Sequence, residues 1–118
     1  EHNSLVERGV KELNDKQILN REIMILSFRH IEDSRLKGQI GAKALINGKE
    51  SYTLPDELND DDLLYYTVRT SKGLEAPAVL LVDLPKTSEI KKFEQYADWF
   101  YTAATRAKYF LYCFYDKE

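Results

Sequence analysis

The segment PAVLLVDL at residues 77–84 constrains the fold more than any other part of the sequence, because it is almost continuously apolar. A strand with one face in water alternates apolar and polar residues, whereas a continuous apolar strand is covered on both faces. Parallel sheets with helices on each side provide that environment. The segment therefore predicts a parallel strand inside a helix-covered sheet.

The rest of the chain alternates between strand-like and helix-like patterns. Three further segments rich in apolar, aromatic or β-branched residues predict strands: 21–28, 63–70 and 109–115. Apolar residues at three- and four-residue spacing predict three helices: 4–14, 34–45 and a long one from a cap at Ser88 to Ala107. Asn47-Gly48 predicts a hairpin turn within 44–54. The alternation predicts an α/β fold, with a parallel sheet flanked by helices.

Length and composition limit what such a chain can do. With 118 residues, a single domain spanning 1–118 is expected. The net charge of −3 argues against a domain that grips nucleic acid by charge alone. Cys113 is the only cysteine, which favours a reducing, cytoplasmic compartment, and no apolar run approaches the roughly 18 residues of a membrane span. The acidic stretch 55–62 is interpreted as a solvated loop, and the start at Glu1 suggests a piece of a longer chain.

Ligands of open parallel sheets bind beyond the carboxyl ends of the strands. That rule selects three places: SFRH at 27–30, RTSKGLE at 69–75 and the loop after Leu84. A fourth cluster, TRAK at 105–108, follows from its position at the predicted end of the long helix.

Two arginines are candidates for phosphate contacts. Arg29 directly follows an apolar strand, and Arg106 lies in the predicted last helical turn among the small residues Ala103, Ala104 and Ala107. A guanidinium group is a rigid, permanently charged fork that suits phosphate oxygens. The alternatives are a surface arginine at a strand end and a cation that complements a helix dipole.

The turn at 69–75 and the strand before it combine hydroxyls, cations, a glycine and a carboxylate: Thr67, Arg69, Thr70, Ser71, Lys72, Gly73 and Glu75. Gly73 would let a backbone or ligand approach closely, and Glu75 could accept hydrogen bonds from a sugar. A left-handed turn with a solvated Lys72 is the alternative.

Other chemistries find little support in the sequence. His2, His30 and Cys113 do not have the spacing of a metal site, and no Gly-x-Ser-x-Gly motif is present. No Gly-x-x-x-x-Gly-Lys-Ser/Thr loop occurs either, so we expect that the chain cannot cradle ATP phosphates and hold magnesium by itself.

Three segments, in this order, resemble the motifs of the second motor domain of superfamily 1 helicases of the UvrD/Rep type. IMILSFRHIEDSRL (23–36) resembles motif IV, YTVRTSKGLEAPAVLLVDL (66–84) resembles motif V, and WFYTAATRAKYFLYCF (99–114) resembles motif VI. Arg69 stands where motif V usually has histidine, and the large accessory domain of UvrD and Rep is missing between motifs IV and V. The likeness is therefore to a compact relative, such as helicases with a short UvrD-like C-terminal module, or to a chain from which the accessory domain has been removed.

The resemblance implies a RecA-like sheet and a role for each matching residue. Arg29 would contact the terminal phosphate of ATP, and Arg106 would be the arginine finger. Gly73 and Glu75 would lie at the nucleotide, with Glu75 facing the ribose. ATP and Mg²⁺ would be held mainly by a missing N-terminal RecA-like domain of the same chain.

Four residues would contact single-stranded DNA, with RNA as a possible substitute: Thr67, Arg69, Thr70 and Lys72. The resemblance thus implies an ATP-dependent DNA helicase or translocase whose isolated second domain has no useful ATPase. A helicase-like interaction or regulatory module without catalysis is the alternative, and a sheet-based nucleic-acid binder acting alone is a third. Neither a membrane partner nor a metal site on this chain is expected.

Overall fold

A computed structural model describes the chain in six ranges: 2–36, 39–40, 43–47, 62–71, 73–84 and 96–114. The predicted cap at Ser88, the Gly48 of the predicted hairpin turn and Lys72 lie outside the described residues, as does the acidic stretch except for its last residue. Within the described ranges, no helix combines the length and apolar character that a membrane span requires.

Two α-helices and six strands make up the described fold. The helices are α1 (His2–Asp15) and α2 (Tyr96–Ala104), and short 3₁₀ helices lie at Asn20–Glu22 and Ile31–Asp33. The strands are β1 (Ile23–Ser27), β2 (Gln39–Ile40), β3 (Lys43–Asn47), β4 (Leu63–Thr67), β5 (Ala76–Val82) and β6 (Ala107–Cys113).

All six strands form one sheet in the order β2-β3-β4-β1-β5-β6. The five strands from β3 to β6 in this order pair in parallel with one another. The edge strand β2 pairs antiparallel with β3. β5 lies between β1 and β6, which confirms the parallel strand predicted from its apolar sequence. Since the carboxyl ends of β1, β4 and β5 meet at one edge, the segments that follow these strands are brought together.

The sheet is covered on both faces, as the apolar strands require. On one face, α1 packs its apolar stripe onto alternate residues of the strands: Val6, Val10 and Leu13 onto Ile23, Ile25, Leu80 and Val82, among others. The other face carries Met24, Leu26, Val79 and Leu81, against which Ala103, Trp99 and Phe100 of α2 pack. Alternate side chains of β1 and β5 thus enter opposite cores, and both kinds are buried.

Gly9 allows α1 to approach the sheet closely. A Cβ atom added at this position would lie 2.9 Å from Cζ of Phe114, which is closer than carbon atoms normally approach. Glycine lowers helix propensity, so its place in the middle of α1 is explained by this contact rather than by the helix itself.

The helix predicted at 34–45 is wrong. The structure has a turn at 34–36 followed by β2 and β3, and β3 pairs in parallel with β4 through Leu45 opposite Leu63. Gly38 and Gly41 weaken a helix here, and pairing with a neighbouring strand provides hydrogen bonds that the sequence pattern does not reveal. The strand predicted at 63–70 is shorter than expected, because β4 ends at Thr67.

The predicted end of the long helix is also wrong. Helix α2 ends at Ala104, Arg106 lies in the following turn, and Ala107 begins β6. The carbonyl of Arg106 accepts a hydrogen bond from the amide of Ala76 at 2.9 Å, so pairing with β5 has begun at the residue where helical spacing still continues. The strands predicted around β1 and β6, and the helix at α1, are confirmed.

Candidate functional site

A cleft of about 350 Å³ opens at the carboxyl ends of β1 and β4. Its lining comes from the segment after β1, from the end of β4 and its turn, and from α2: Ser27, Phe28, Arg29, His30, Asp33, Thr67, Val68, Arg69 and Trp99. The cleft lies at the edge of the sheet where parallel α/β folds bind their ligands.

Aromatic rings and cationic side chains share the cleft. The rings of Phe28 and Trp99 lie with centroids 6.2 Å apart at an interplanar angle of 50°. Arg29 and Arg69 bring two guanidinium groups to the same lining, and Asp33 brings one carboxylate. Apolar ring faces beside cations suit a ligand that has both a planar base and a phosphate.

The backbone of Arg29 is fixed on both sides. Its amide donates a hydrogen bond to Oγ of Ser27 at 2.9 Å, and its carbonyl accepts one from the hydroxyl of Tyr65 at 2.6 Å. The side chain itself is half-buried, and no side chain in the described ranges hydrogen-bonds its guanidinium group. The backbone is therefore ordered while the charged group is available to a ligand.

Tyr65 is suited to this role because it remains protonated. Burial raises the pKa of Tyr65, and the negative charges of Asp83 and Glu32 act in the same direction, whereas hydrogen bonding with Ser27 and Ser34 opposes them. At neutral pH the hydroxyl is therefore a hydrogen-bond donor to Arg29.

Behind the cleft, Asp83 is 1% exposed and accepts three hydrogen bonds. Its Oδ2 accepts from Oγ of Ser27 at 2.5 Å and from Oγ of Ser34 at 2.6 Å, and its Oδ1 accepts from the amide of Arg35 at 3.0 Å. A buried carboxylate is costly unless it is hydrogen-bonded, and these donors meet that need. Asp83 also has a left-handed backbone, with φ of 56°.

The other wall of the cleft is built by the turn after β4. The amide of Thr67 donates to Oγ1 of Thr70 at 3.1 Å, and the amide of Thr70 donates to Oγ1 of Thr67 at 3.2 Å. Ser71 is buried and its hydroxyl donates to the carbonyl of Val68 at 2.7 Å. Two side chains that could contact a ligand are thus also used to fix the turn.

Gly73 has φ of +85°, a backbone conformation that side chains with a Cβ rarely adopt. Among the described residues, and apart from its neighbours in the chain, no atom lies within 4 Å of where its Cβ would be. The backbone conformation, rather than a close contact with a described residue, therefore requires glycine here.

Arg106 is half-buried and its guanidinium group turns back toward the end of α2. Its Nε donates to the carbonyl of Thr102 at 3.1 Å, and its Nη2 lies 3.1 Å from Oγ1 of Thr105. Thr105 in turn donates its hydroxyl to the carbonyl of Thr102 at 2.9 Å. The carbonyl of Thr102 and the hydroxyl of Thr105, both at the end of the helix, therefore hold the arginine in this structure.

The structure brings together only part of the set predicted from the sequence. Three of them line the cleft: Arg29, Thr67 and Arg69. Thr70 forms a hydrogen bond with the hydroxyl of Thr67. Glu75 is exposed, and neither it nor Arg106 is in the lining of the cleft. Lys72 lies outside the described residues.

Several residues of this region were given no individual role by sequence reasoning, and four of them line the cleft or hold its wall. Phe28 and Trp99 line the cleft, and Tyr65 and Asp83 hold the segment that carries Arg29. Asp83 did carry a signal, since a carboxylate at the end of an apolar strand must find donors. The other three look like ordinary core residues in the sequence.

The parallel sheet, covered by helices on both faces and with its cleft at the carboxyl edge, is an α/β RecA-like fold. Residues 62–112 match the family model of the UvrD-like helicase C-terminal domain. The match runs from the start of β4 to near the end of β6, and it supports a helicase-related, UvrD-like C-terminal module in this part of the chain. A search of curated proteins found no match to the chain.

The matched segment contains most of the candidate residues. Thr67, Arg69, Gly73, Glu75 and Arg106 lie inside it. The strand β1 and Arg29, which form the opposite wall of the cleft, precede the segment, so the structure rather than the family match joins them to this site.

Proposed function

We propose that this chain is the C-terminal motor domain of an ATP-dependent superfamily 1 DNA helicase or translocase. The observation that carries the proposal is the match of residues 62–112 to the UvrD-like helicase C-terminal domain. This segment includes Thr67 and Arg69, which line the cleft, and also Arg106. ATP with Mg²⁺ would be held mainly by an N-terminal RecA-like domain of the same chain, which would carry the phosphate loop. The proposal takes residues 1–118 as one domain and the cytoplasm as its compartment.

Arg29 would contact the terminal phosphate of ATP across the interface between the two domains. Arg29 lines the cleft, and its backbone is already fixed by Ser27 and Tyr65. A preorganised cation stabilises the charge that develops on phosphate oxygens during phosphoryl transfer, and it does so without reorganisation at the moment of reaction.

Arg106 would be the arginine finger, and it would have to leave its contacts with Thr102 and Thr105 to act. In these contacts the guanidinium group donates to neutral oxygens, whereas a phosphate carries negative charge and can accept two parallel bonds from the same group. Closure of the two domains on ATP could therefore draw the side chain from the helix end to the phosphate. Gly73 and Glu75 would lie at the nucleotide, with Glu75 facing the ribose.

Single-stranded DNA would contact the turn after β4, with RNA as a second possible strand. Arg69 is exposed at the cleft and would pair with the phosphate backbone, and Lys72 would do the same. Thr67 and Thr70 would contribute hydroxyl contacts, although they already bond to each other. Because Thr67 and Arg29 line one cleft, movement of the strand and turnover of the nucleotide would be coupled through neighbouring segments.

Single-strand-stimulated ATPase tests the proposal, measured on the protein that joins this domain to a phosphate-loop domain. Arg106→Ala should lower turnover by about 10³-fold or more while nucleotide binding remains, because the finger acts mainly in the transition state. Arg8→Ala, which removes an exposed arginine from α1, is the matched control. Equal rates in wild type and Arg106→Ala, or no ATPase in either, would contradict the proposal.

A non-catalytic helicase-like interaction or regulatory module is the second candidate. The observation that favours it is the engagement of Arg106 with its own helix end, which is what a purely structural arginine does. In that case Arg106→Ala would lower the stability of the domain and leave ATP turnover by the intact protein unchanged. The same ATPase experiment therefore separates the two candidates.

A further inference from the structure

We propose that Asp83, Ser27 and Tyr65 are positioning residues that present Arg29 to the cleft. The consequence for turnover rests on the function proposed above for Arg29, whereas the positioning itself rests on contacts in this chain. Ser27 and Asp83 lie within the segments that resemble motifs IV and V, but the resemblance assigned no role to any of the three residues.

Asp83 holds both ends of the segment that forms one wall of the cleft. Ser27 lies immediately before this segment, residues 28–33, and Ser34 and Arg35 lie immediately after it. The single carboxylate binds all three, and so closes the segment into a loop at its base. Phe28, Arg29, His30 and Asp33, all within this loop, line the cleft.

Within the loop, the peptide groups on either side of Arg29 are held directly. Oγ of Ser27 accepts from the Arg29 amide while it donates to Asp83, so one hydroxyl links the buried carboxylate to the arginine. The hydroxyl of Tyr65 donates to the Arg29 carbonyl from the neighbouring strand. A charged side chain that must meet a phosphate needs such support, since an error of about 1 Å can cost about 10²-fold in rate.

A purely structural role for this network is the competing explanation. Buried carboxylates often serve only to satisfy buried donors. Here, however, the two serine hydroxyls that bind Asp83 flank the loop at the cleft, and the Tyr65 hydroxyl of β4 donates to Arg29 within it. The network therefore determines the conformation of the cleft wall, and the two explanations differ in what removal of one hydroxyl does to Arg29.

Hydrogen exchange of backbone amides in Tyr65→Phe tests the positioning directly. This variant keeps the buried ring and removes only the hydroxyl that holds Arg29. The Arg29 amide should exchange about fivefold to tenfold faster, while the amides within β1 keep their rates. Tyr112→Phe, which removes a half-buried hydroxyl near Glu12 of α1, should leave Arg29 unchanged. An unchanged Arg29 amide, or equal acceleration throughout β1, would overturn the proposal.

A double-mutant cycle with Arg29→Ala in the two-domain protein tests the consequence for ATP turnover. Tyr65→Phe alone should lower kcat by about tenfold, and in the Arg29→Ala background it should have no further effect, because it acts through Arg29. Additive losses would overturn the proposal.

The two experiments separate the proposals from each other. If Arg106→Ala abolishes turnover but Arg29→Ala does not change it, the assigned role of Arg29 fails and amide exchange alone decides the positioning. If Arg29→Ala lowers turnover but Tyr65→Phe does not, the function stands and the positioning role is overturned.

Discussion

The ends of β1 and α2 each present an arginine for which the same ligand was predicted, but they hold it in opposite ways. At the end of β1, the backbone of Arg29 is bonded on both sides, and no side chain in the described ranges bonds its guanidinium group. At the end of α2, the guanidinium group of Arg106 is bonded to Thr102 and Thr105 of its own helix end. Among the described residues, the first guanidinium group has no side-chain partner, whereas the second is held by its own helix end.

The difference shows that residue type and position do not determine whether a site is prepared. Both arginines follow a regular element and both suit phosphate. What separates them is which neighbouring groups use their hydrogen-bonding capacity. A preformed cation favours binding, whereas a cation that must move can link a conformational change to the reaction.

The largest expected effect is on ATP turnover in the two-domain protein. Arg106→Ala should reduce kcat by about 10³-fold or more, and Arg29→Ala by about 10²-fold. An arginine finger contributes more to transition-state stabilisation than a single preorganised hydrogen-bond donor does. Steady-state and single-turnover kinetics measure both. A larger loss at Arg29 than at Arg106 would break the comparison, since the residue that must move would then matter less than the fixed one.

The next effect concerns the stability of the β1 end. Asp83→Ala should lower the free energy of unfolding by about 2–4 kcal/mol, because the serine hydroxyls and the Arg35 amide lose their buried acceptor. Urea unfolding measures it. Asp98→Ala, at an exposed site in the first turn of α2, is the control and should cost about 0.5 kcal/mol. A loss equal to the control would mean that the network does not hold the wall of the cleft.

A smaller effect should appear at alkaline pH. Burial, its largest cause, raises the pKa of Tyr65 above the ordinary 10.0, so the unfolded chain loses this proton at lower pH than the folded chain. The resulting stability is fully present below pH 10.0 and is lost as pH rises through the folded pKa. Unfolding free energies measured from neutral to alkaline pH should fall more gently in Tyr65→Phe than in wild type. Parallel curves would show that Tyr65 does not carry the effect.

The smallest expected effect sharpens the comparison most directly. Arg106→Ala should lower the free energy of unfolding by about 1 kcal/mol, because it removes a cation and a hydrogen bond from the helix end. Arg29→Ala should change it by no more than about 0.5 kcal/mol, since its side chain supports no other described residue. Thermal or urea unfolding of the chain gives both values. Equal losses would mean that Arg29 is also a structural cation.

The sequence predicted the centre of the fold better than its edges. β1 and β5 are buried on both faces, so their continuous apolar runs identify them without knowledge of their partners. The stretch from 34 to 45 carries helical spacing, but β3 gains its hydrogen bonds from β4, nearly 20 positions along the chain. Propensity is a weak signal, and strand pairing of this kind is invisible to it.

The sequence also predicted some residues of the candidate site and not others. The motifs indicated Arg29, Thr67 and Arg69, and the structure brings these three residues to one cleft. The contacts of Arg106 could not be predicted, because they depend on a helix that ends three residues earlier than the side-chain spacing suggests. Phe28 and Trp99 come together only because α2 packs across the end of β1.

By itself, the sequence determined a helix-covered parallel sheet and the turn that requires a left-handed glycine, because burial pattern and backbone conformation are local properties. Only the tertiary structure decided which groups hold each arginine. Asp83 and Ser27 are 56 positions apart, and Tyr65 is 36 positions from Arg29. Hydrogen bonds over such separations exist only after the strands have paired, and for that reason no pattern of neighbouring residues reveals them.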